Sequence, residues 1–197
     1  IAVVGFGDLG SRLSTKLPRP WRCVGLRRRP REVPVGVRGV AADLRDPGSL
    51  TVLERLAPGA LLITLTPDER SDEGYRRGFR DAMQNILAGL GAHRPRHAFF
   101  VSSTRVYGER DGGWVDEDGA LDRDDARTNA IIEAEELFLE ALPAAVVLRA
   151  AGLYGHGPGP LLRAVAAGRL RPRTPVLYGN RIHRDDVAGF IAHALDA

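Results

Sequence analysis

The 197-residue sequence is 44% hydrophobic with a formal net charge of +3, so it holds enough apolar material for one sizeable core. Its single cysteine, Cys23, excludes an intrachain disulfide framework, and we find no metal-ligand spacing. Without a signal peptide or an apolar run near the roughly 20 residues that cross a bilayer, we expect a cytoplasmic protein without a membrane partner. The positive charge is spread along the chain, which permits an anionic ligand but does not indicate nucleic acid.

Apolar runs alternate with helical patterns along the chain. The first strand, "IAVVG" at 1–5, leads into a helix at 8–17 where leucines recur every four residues. Further strands are predicted at 22–26, 38–44, 60–66, 97–103 and 144–150, and further helices at 47–56, about 70–91, 125–141, 160–167 and 185–196. This alternation predicts an α/β fold with a Rossmann-like, doubly wound parallel sheet, whose ligands bind beyond the carboxyl ends of the strands.

A glycine motif, GxGxxG, joins the first strand to the first helix. Gly5 would permit the tight turn, Gly7 would let a pyrophosphate approach the backbone, and Gly10 would let the helix pack on the strand. Asp8 and Leu9, at the start of the helix, are included in the predicted cofactor site because a helix N-terminus faces the anion. The alternative is a glycine-rich turn without a ligand.

The end of the second strand is basic, "LRRRP". An NAD-preferring site usually has an acidic residue here, about 20 residues past the motif, which binds the ribose 2′-hydroxyl. Arg27, then Arg28, could instead pair with the 2′-phosphate of NADP(H), so we predict NADP(H) in preference to NAD(H). Glu32 is the only nearby acid, and it follows Pro30, which places it beyond the strand. The alternative is a solvated basic loop.

Two further strand ends are predicted to border the cofactor. Asp43 and Leu44 would place a carboxylate and an apolar side chain near the adenine, although Asp43 could equally cap a helix or turn. Leu65 and Thr66 end the fourth strand, where the backbone would line the nicotinamide half of the cleft.

Five landmarks follow one another in order: GxGxxG at 5–10, Asp43-Leu44, "SSTRVYG" at 102–108, "LRAAGLYGHG" at 148–157 and "RIHRDDVA" at 181–188. With this set the chain resembles the extended short-chain dehydrogenase/reductase family, the nucleotide-sugar epimerases and dehydratases. The resemblance implies an NADP-binding Rossmann domain at 1–150. It also implies that 151–197 is the start of a small substrate lobe, interleaved with the last sheet elements and either reduced or continued beyond the sequence.

The resemblance assigns Ser103, four residues before Tyr107, as the hydroxyl that bonds the reacting oxygen of the substrate. Ser102 is its neighbour and is included in the cofactor site. The family's Tyr-x-x-x-Lys pair should follow on the next helix, with the tyrosine as general acid/base and the lysine lowering its pKa. No tyrosine or lysine occurs anywhere in 108–153, so the pair is absent.

The helix at 125–141 shows what stands in place of that pair. Matching Glu135 to the family's glutamate puts Arg127 at the tyrosine position and Ile131 at the lysine position. A shift by one residue puts Thr128 and Ile132 there. In either register the chain resembles an atypical branch of the family that keeps the nucleotide fold without the catalytic pair.

Several side chains are candidates for the missing roles. Tyr107 and Tyr154 could each act as a substitute acid, although tyrosines in "VYG" and "LYG" more often shape loops. Arg127 could bind an anionic group of the substrate, or be an ordinary exposed helix arginine. His183 follows the family pattern near the substrate cleft, and a structural histidine that bonds backbone is the alternative.

Other polar residues are predicted to have structural roles. Arg149 resembles a family arginine, but we favour pairing with a nearby carboxylate, which would fix the loop 152–159. The acidic residues of 133–140 are expected to form a solvated helix face, and Asp185 and Asp186 are expected to cap the last helix.

The sequence therefore predicts an NADP(H)-binding, epimerase/dehydratase-like oxidoreductase with weakened or altered catalysis. Its small-molecule substrate would be an unknown carbonyl, alcohol or nucleotide sugar. The alternative is a non-enzymatic NADP(H)-binding sensor or protein-interaction module. A homodimer would pair the helices at 70–91 and 125–141.

Overall fold

The computed structural model describes residues 1–67, 69–142, 144–155, 159–169 and 179–196. The last two residues of the predicted 148–157 landmark, and part of the predicted lobe at 151–197, lie outside these ranges.

A six-stranded parallel sheet in the order β3-β2-β1-β4-β5-β6 forms the centre of the molecule. Its strands are β1 (Ala2–Val4), β2 (Val24–Arg27), β3 (Arg38–Ala41), β4 (Ala60–Thr64), β5 (His97–Ser103) and β6 (Val146–Ala150). This order confirms the doubly wound fold predicted from the sequence. The direction of strand addition reverses between β1 and β4, which is where sheets of this kind open a ligand crevice.

Helices cover both faces of the sheet. They are α1 (Asp8–Ser14), α2 (Pro47–Leu50), α3 (Val52–Leu56), α4 (Asp72–Tyr75), α5 (Ala82–Gly89), α6 (Ala126–Ala141), α7 (Pro160–Ala166) and α8 (Arg184–Ala194). The helix predicted at 70–91 contains a π-helical segment, Arg76–Asp81, between α4 and α5. Such segments often occur at functional sites, and this one borders the cleft described below.

Two hydrophobic layers hold the helices on the sheet. Alternate residues of β4 face opposite sides: Leu61 packs in the layer with α5 and α6, and Leu62 packs in the layer with α1 and α8. Both are fully buried, and each such side chain stabilises the fold by about 1.5–3 kcal/mol. Burial on both faces is the reason why the strand reads as a continuous apolar run.

The last helix belongs to the same core. A small second sheet pairs β7 (Gly152–Tyr154) with β8 (Arg181–His183) in parallel and leads directly into α8. The prediction that Asp185 and Asp186 cap α8 is wrong: the N-cap is His183, whose Nδ1 accepts a hydrogen bond from the Asp185 N–H at 3.1 Å. The Asp185 carboxylate instead binds Arg12 Nη1 at 2.6 Å, which joins α8 to α1.

The N-terminus of α6 gives a first testable prediction. Asp125 is its N-cap, and its Oδ1 accepts hydrogen bonds from the Thr128 N–H and hydroxyl, both at 2.7 Å. We expect Asp125→Ala to lower the free energy of unfolding by about 1 kcal/mol in urea denaturation. Asp124→Ala, which removes an exposed neighbouring charge, is the control and should have a smaller effect.

The same substitution has a pH signature. The hydrogen bonds from Thr128 and then that from Arg105 hold the pKa of Asp125 well below its usual value. A depressed pKa stabilises the fold above the unfolded-state pKa, about 3.9, and that contribution is lost as pH falls toward the folded-state pKa. The stability difference between the wild type and Asp125→Ala should therefore shrink below about pH 4. A difference that stays constant down to pH 2 would contradict this assignment.

Candidate functional site

A cleft of about 620 Å³ opens at the carboxyl edge of the sheet, at the ends of β1 to β4. Gly5 and Phe6 lie at its base, 27–29 and 42–45 form one wall, and residues from 64–82 form the other. This is the position expected of a ligand crevice in a doubly wound sheet.

The glycine motif shapes the base of this cleft, and each glycine has a different steric reason. Gly5 has a φ of +78°, and a Cβ there would lie 2.0 Å from the Thr64 carbonyl oxygen. At Gly10 a Cβ would lie 2.9 Å from the Phe6 ring, so the third glycine lets α1 approach the sheet. At Gly7 the nearest atom to such a Cβ is the Gly5 oxygen, 3.7 Å away. Space is therefore open beside the Gly7 backbone, as a pyrophosphate would need.

The basic end of β2 forms a wall of the cleft together with Glu32. Arg27 Nη1 donates to the Glu32 carbonyl oxygen at 2.7 Å, and Nη2 donates to the Glu32 carboxylate at 2.8 Å. Arg28 and Arg29 also line the cleft. Glu32 lies beyond the strand, as the sequence predicted, but the loop that follows β2 returns it to the cleft. The five-residue separation across Pro30, which fits a turn, was the available signal.

Asp43 is held by the next arginine. Its carboxylate accepts hydrogen bonds from the Arg45 backbone N–H at 3.0 Å, from Nε at 3.1 Å and from Nη2 at 2.8 Å. The Arg45 side-chain and backbone hydrogen bonds, in that order, lower the pKa of Asp43 to about 2. Asp43 thus has the turn-capping role and also lines the cleft beside Leu44. Sequence reasoning missed Arg45 as a cleft residue.

Of four other predicted cofactor residues, one lines this cleft with its side chain and three do not. Thr66 lines it, whereas Leu9 and Leu65 are each only 8% exposed and place their side chains in the core. Only their backbones could therefore contact a ligand. The Asp8 carboxylate accepts hydrogen bonds from Arg12 Nε at 3.0 Å and from Arg184 Nη1 at 3.1 Å.

The end of β5 carries the predicted catalytic hydroxyl. Ser103 is half-buried and is the N-cap of a short 3₁₀ turn, Thr104–Val106. Its Oγ accepts a hydrogen bond at 3.2 Å from the Arg105 N–H. Ser102 points the other way: it is buried and donates a short hydrogen bond to the Glu135 carboxylate. The Ser102 hydroxyl is therefore engaged in the protein interior, whereas the sequence analysis assigned it to the cofactor site.

A buried ion pair lies behind this turn. Glu135 on α6 is 2% exposed, and its carboxylate accepts hydrogen bonds from Arg149 Nη2 at 2.9 Å and Nε at 3.1 Å. Arg149 Nη1 also donates to the Glu117 carbonyl oxygen at 2.9 Å, and its guanidinium lies 5.1 Å from the centroid of the Tyr107 ring. The expected carboxylate partner of Arg149 is thus present. The prediction that the 133–140 acids are all solvated is wrong at Glu135.

The other candidate side chains, two tyrosines, an arginine and a histidine, have contacts within the fold. Tyr107 is 8% exposed and packs in the core, whereas Tyr154 is 55% exposed and lies edge-on to the His183 ring at 5.0 Å. Arg127 binds Asp72 of α4 through Nε at 2.7 Å. The contacts of His183 and Arg127 are those of the structural alternatives considered above.

The isoleucines that stand at the family's lysine position are core residues. Ile131 and Ile132 are 2% and 0% exposed and pack in the layer that contains α5. Whichever of the two corresponds to the lysine, that position contributes packing and no charge.

The described part of the chain shows neither a membrane-spanning helix nor a cluster of metal ligands. None of its helices combines the length and apolar character needed to cross a membrane. In the same ranges, histidine, cysteine and carboxylate side chains do not gather in a group of three or more that could hold a metal ion.

Comparisons with known proteins agree with this architecture. The chain is 31% identical over 216 aligned positions to Protein YeeZ of Escherichia coli K12, covering 100% of this chain and 73% of that protein. A Methylobacillus flagellatus structure, provisionally described as an NAD-dependent epimerase/dehydratase, matches with TM-score 0.81 and 33% identity over 99% of this chain and 69% of that one. No family model matches the chain.

A more distant structure shares the fold. The Bordetella bronchiseptica enzyme WbmH, solved in complex with NAD⁺, matches with TM-score 0.80 over 100% of this chain and 71% of that one, at 16% identity. At that identity the likeness is one of fold.

The buried ion pair gives a second testable prediction. Arg149→Ala leaves the Glu135 carboxylate buried without its cation, so we expect a loss of about 3 kcal/mol or more in the free energy of unfolding. The matched control is Arg123→Ala, which breaks an exposed pair with Glu136 on the same helix and should cost less than about 1 kcal/mol. Urea denaturation measures both.

A double substitution tests the physical cause. Replacing both Glu135 and Arg149 with leucine removes the unpaired charge, so the double variant should be more stable than Arg149→Ala alone. Equal losses for Arg149→Ala and Arg123→Ala would show that burial adds nothing to the Glu135 pair.

Proposed function

Because this chain belongs to the NAD-dependent epimerase/dehydratase family of the extended short-chain dehydrogenases/reductases, we propose that it binds a nicotinamide dinucleotide and acts as an oxidoreductase of that type. The observation that carries the proposal is the cleft at the ends of β1 to β4 together with its glycine turn.

The residues present fit such a cofactor. The backbone at Gly7 is open to a pyrophosphate, and the N-terminus of α1 starts directly beyond it, where helix N–H groups attract anions. The wall at Asp43 and Leu44 offers a charged and an apolar side chain to an adenine. These features support dinucleotide binding across the cleft.

The basic wall supports a preference for NADP(H). Arg27, Arg28 and Arg29 all line the cleft at the end of β2, where a 2′-phosphate would lie. A guanidinium binds phosphate through two parallel N–H bonds, and its charge compensates that of the dianion. We therefore assign Arg27 as the first contact of the 2′-phosphate.

On the substrate side, we assign Ser103 as the hydroxyl that donates a hydrogen bond to the reacting oxygen of a carbonyl or alcohol substrate. A bound nicotinamide would supply or accept the hydride. The Ser103 hydroxyl accepts a bond from the Arg105 N–H in this structure, which leaves its proton available for donation. General acid/base catalysis contributes about 10²–10⁴-fold, so a chain without the Tyr–Lys pair should turn over slowly.

The cofactor preference is testable by equilibrium titration. We expect NADPH to bind more tightly than NADH, and Arg27→Ala to weaken NADPH binding by about 10- to 100-fold because charge-assisted hydrogen bonds are lost. NADH binding should change little. Arg31→Ala is the control, since it removes the same charge from an exposed position of the same loop. NADH binding as tight as NADPH binding, or an unchanged preference in Arg27→Ala, would exclude the assignment.

The catalytic assignment is testable through the fluorescence of bound NADPH. Simple carbonyl compounds, which can accept a hydride, are added to the NADPH complex. UDP-glucuronic acid and dTDP-glucose, whose sugar rings carry alcohols and no free carbonyl, are added to the NADP⁺ complex as hydride donors, because a UDP-glucuronic acid 4-epimerase and a dTDP-glucose 4,6-dehydratase share this fold. Ser103→Ala should slow NADPH oxidation by about 10²-fold or more without weakening NADPH binding. Ser103→Thr keeps the hydroxyl and should retain part of the rate. Tight binding with no hydride transfer from NADPH to a carbonyl probe or from a nucleotide sugar to NADP⁺ would favour the non-enzymatic sensor.

A further inference from the structure

The Arg27–Glu32 pair occupies the place where the proposed function puts a phosphate. Arg27 is the last residue of β2, and Glu32 lies five residues further on, in the loop that follows. Both line the cleft. The carboxylate is therefore already bound to the guanidinium that would receive the 2′-phosphate.

The two contacts between these residues differ in kind. Arg27 Nη1 bonds the Glu32 backbone oxygen at 2.7 Å, and this contact does not depend on the glutamate side chain. Nη2 bonds the Glu32 carboxylate at 2.8 Å. The other carboxylate oxygen lies 3.8 Å from Arg29 Nη1. The Glu32 carboxylate thus interacts with two of the arginines that would bind the phosphate.

The Glu32 carboxylate can turn away from Arg27 while the guanidinium stays in place at the cleft wall. The Glu32 side chain is 53% exposed, so water can solvate it once it turns away. The bond from Nη1 to the backbone oxygen would still hold the guanidinium at the cleft wall, and the N–H groups of Nη2 would become free for phosphate oxygens. A carboxylate and a phosphate present the same acceptor geometry to a guanidinium.

We propose that Glu32 competes internally with the 2′-phosphate for Arg27 and thereby sets how strongly the cleft discriminates NADP(H) from NAD(H). The inference deepens the proposed function and rests on it. Binding of a 2′-phosphate exchanges one anion for another on Arg27, whereas a cofactor with a 2′-hydroxyl leaves the pair intact. Glu32 then weakens NADP(H) binding selectively and moderates the preference that the arginines create.

A second role for Glu32 makes a different prediction. A carboxylate at this edge could accept a hydrogen bond from the ribose 2′-hydroxyl of NAD(H). Removing it would then weaken NADH binding. The NADPH and NADH affinities must each be measured, because removing the Glu32 carboxylate would raise the ratio of NADPH to NADH affinity under either role.

The test is Glu32→Gln, a substitution of the same shape without the charge. We expect NADPH to bind about five- to tenfold more tightly, because an exposed ion pair no longer opposes the exchange and repulsion of the dianion is removed. NADH affinity should change by less than about twofold. Adenosine 2′,5′-bisphosphate and 5′-AMP serve as probes without nicotinamide, and calorimetry reads both, so the result does not depend on turnover.

The matched control is Glu69→Gln. Glu69 is another exposed glutamate that lines the cleft, and its partner is Arg77 at 3.3 Å. It should not reproduce the selective gain for 2′-phosphorylated probes. In the double variant Arg27→Ala/Glu32→Gln, the gain from removing the glutamate charge should fall at least severalfold, because the contested guanidinium is gone.

The outcomes separate this inference from the proposed function. If wild-type protein binds neither NADPH nor the bisphosphate, the proposed function fails. If both bind in an Arg27-dependent way but Glu32→Gln leaves them unchanged, only the competition is overturned. A fall in NADH affinity in Glu32→Gln also overturns it and assigns Glu32 to the ribose hydroxyl. If Glu69→Gln raises the affinity for 2′-phosphorylated probes as much as Glu32→Gln does, the effect comes from the overall charge of the cleft, and the competition at Arg27 is overturned.

Discussion

The pair between the buried Glu135 carboxylate and Arg149 is the contact on which the β5–β6 side of this molecule depends. It joins α6 to β6, and through Ser102 and the Glu117 carbonyl it also reaches β5 and the loop beyond it. Taking the Glu135 charge out of water is unfavourable unless the carboxylate finds partners. The network supplies those partners, and its hydrogen bond from Ser102 fixes the end of β5 directly beside Ser103.

The cleft at the ends of β1 to β4 is built on a different principle. There the geometry comes from backbone and from the absence of side chains, since a Cβ at Gly5 would meet the Thr64 oxygen. The surrounding charges are exposed pairs such as Arg27–Glu32 and Arg45–Asp43. Exposed pairs contribute little stability and can exchange partners at low cost. The site therefore combines a fixed backbone cradle with an electrostatic wall that can be rearranged.

Much of the fold could be read from the sequence because its patterns are local. Apolar runs and helical periodicity predicted the parallel sheet, and GxGxxG between a strand and a helix predicted the turn at the base of the cleft. Ends of consecutive parallel strands meet at one edge of a sheet, so Arg27, Asp43 and Thr66 could be assigned to one region without coordinates. The side-chain partners at that edge could not, because they depend on loop paths. Glu32 returns to Arg27, and the cap of α8 is His183 in place of Asp185.

By itself, the sequence determined the fold class, the position of the cleft at the carboxyl edge of the sheet and the absence of a tyrosine and lysine from 108–153, since each is a property of residue types and their order. Only the tertiary structure decided which charges are buried and which are shared. Glu135 belongs to an acidic run that looks solvated, yet packing of α6 against β5 and β6 places it beside Ser102 and Arg149. Whether a side chain is buried depends on which helices and strands pack over it, and local sequence patterns do not contain that information.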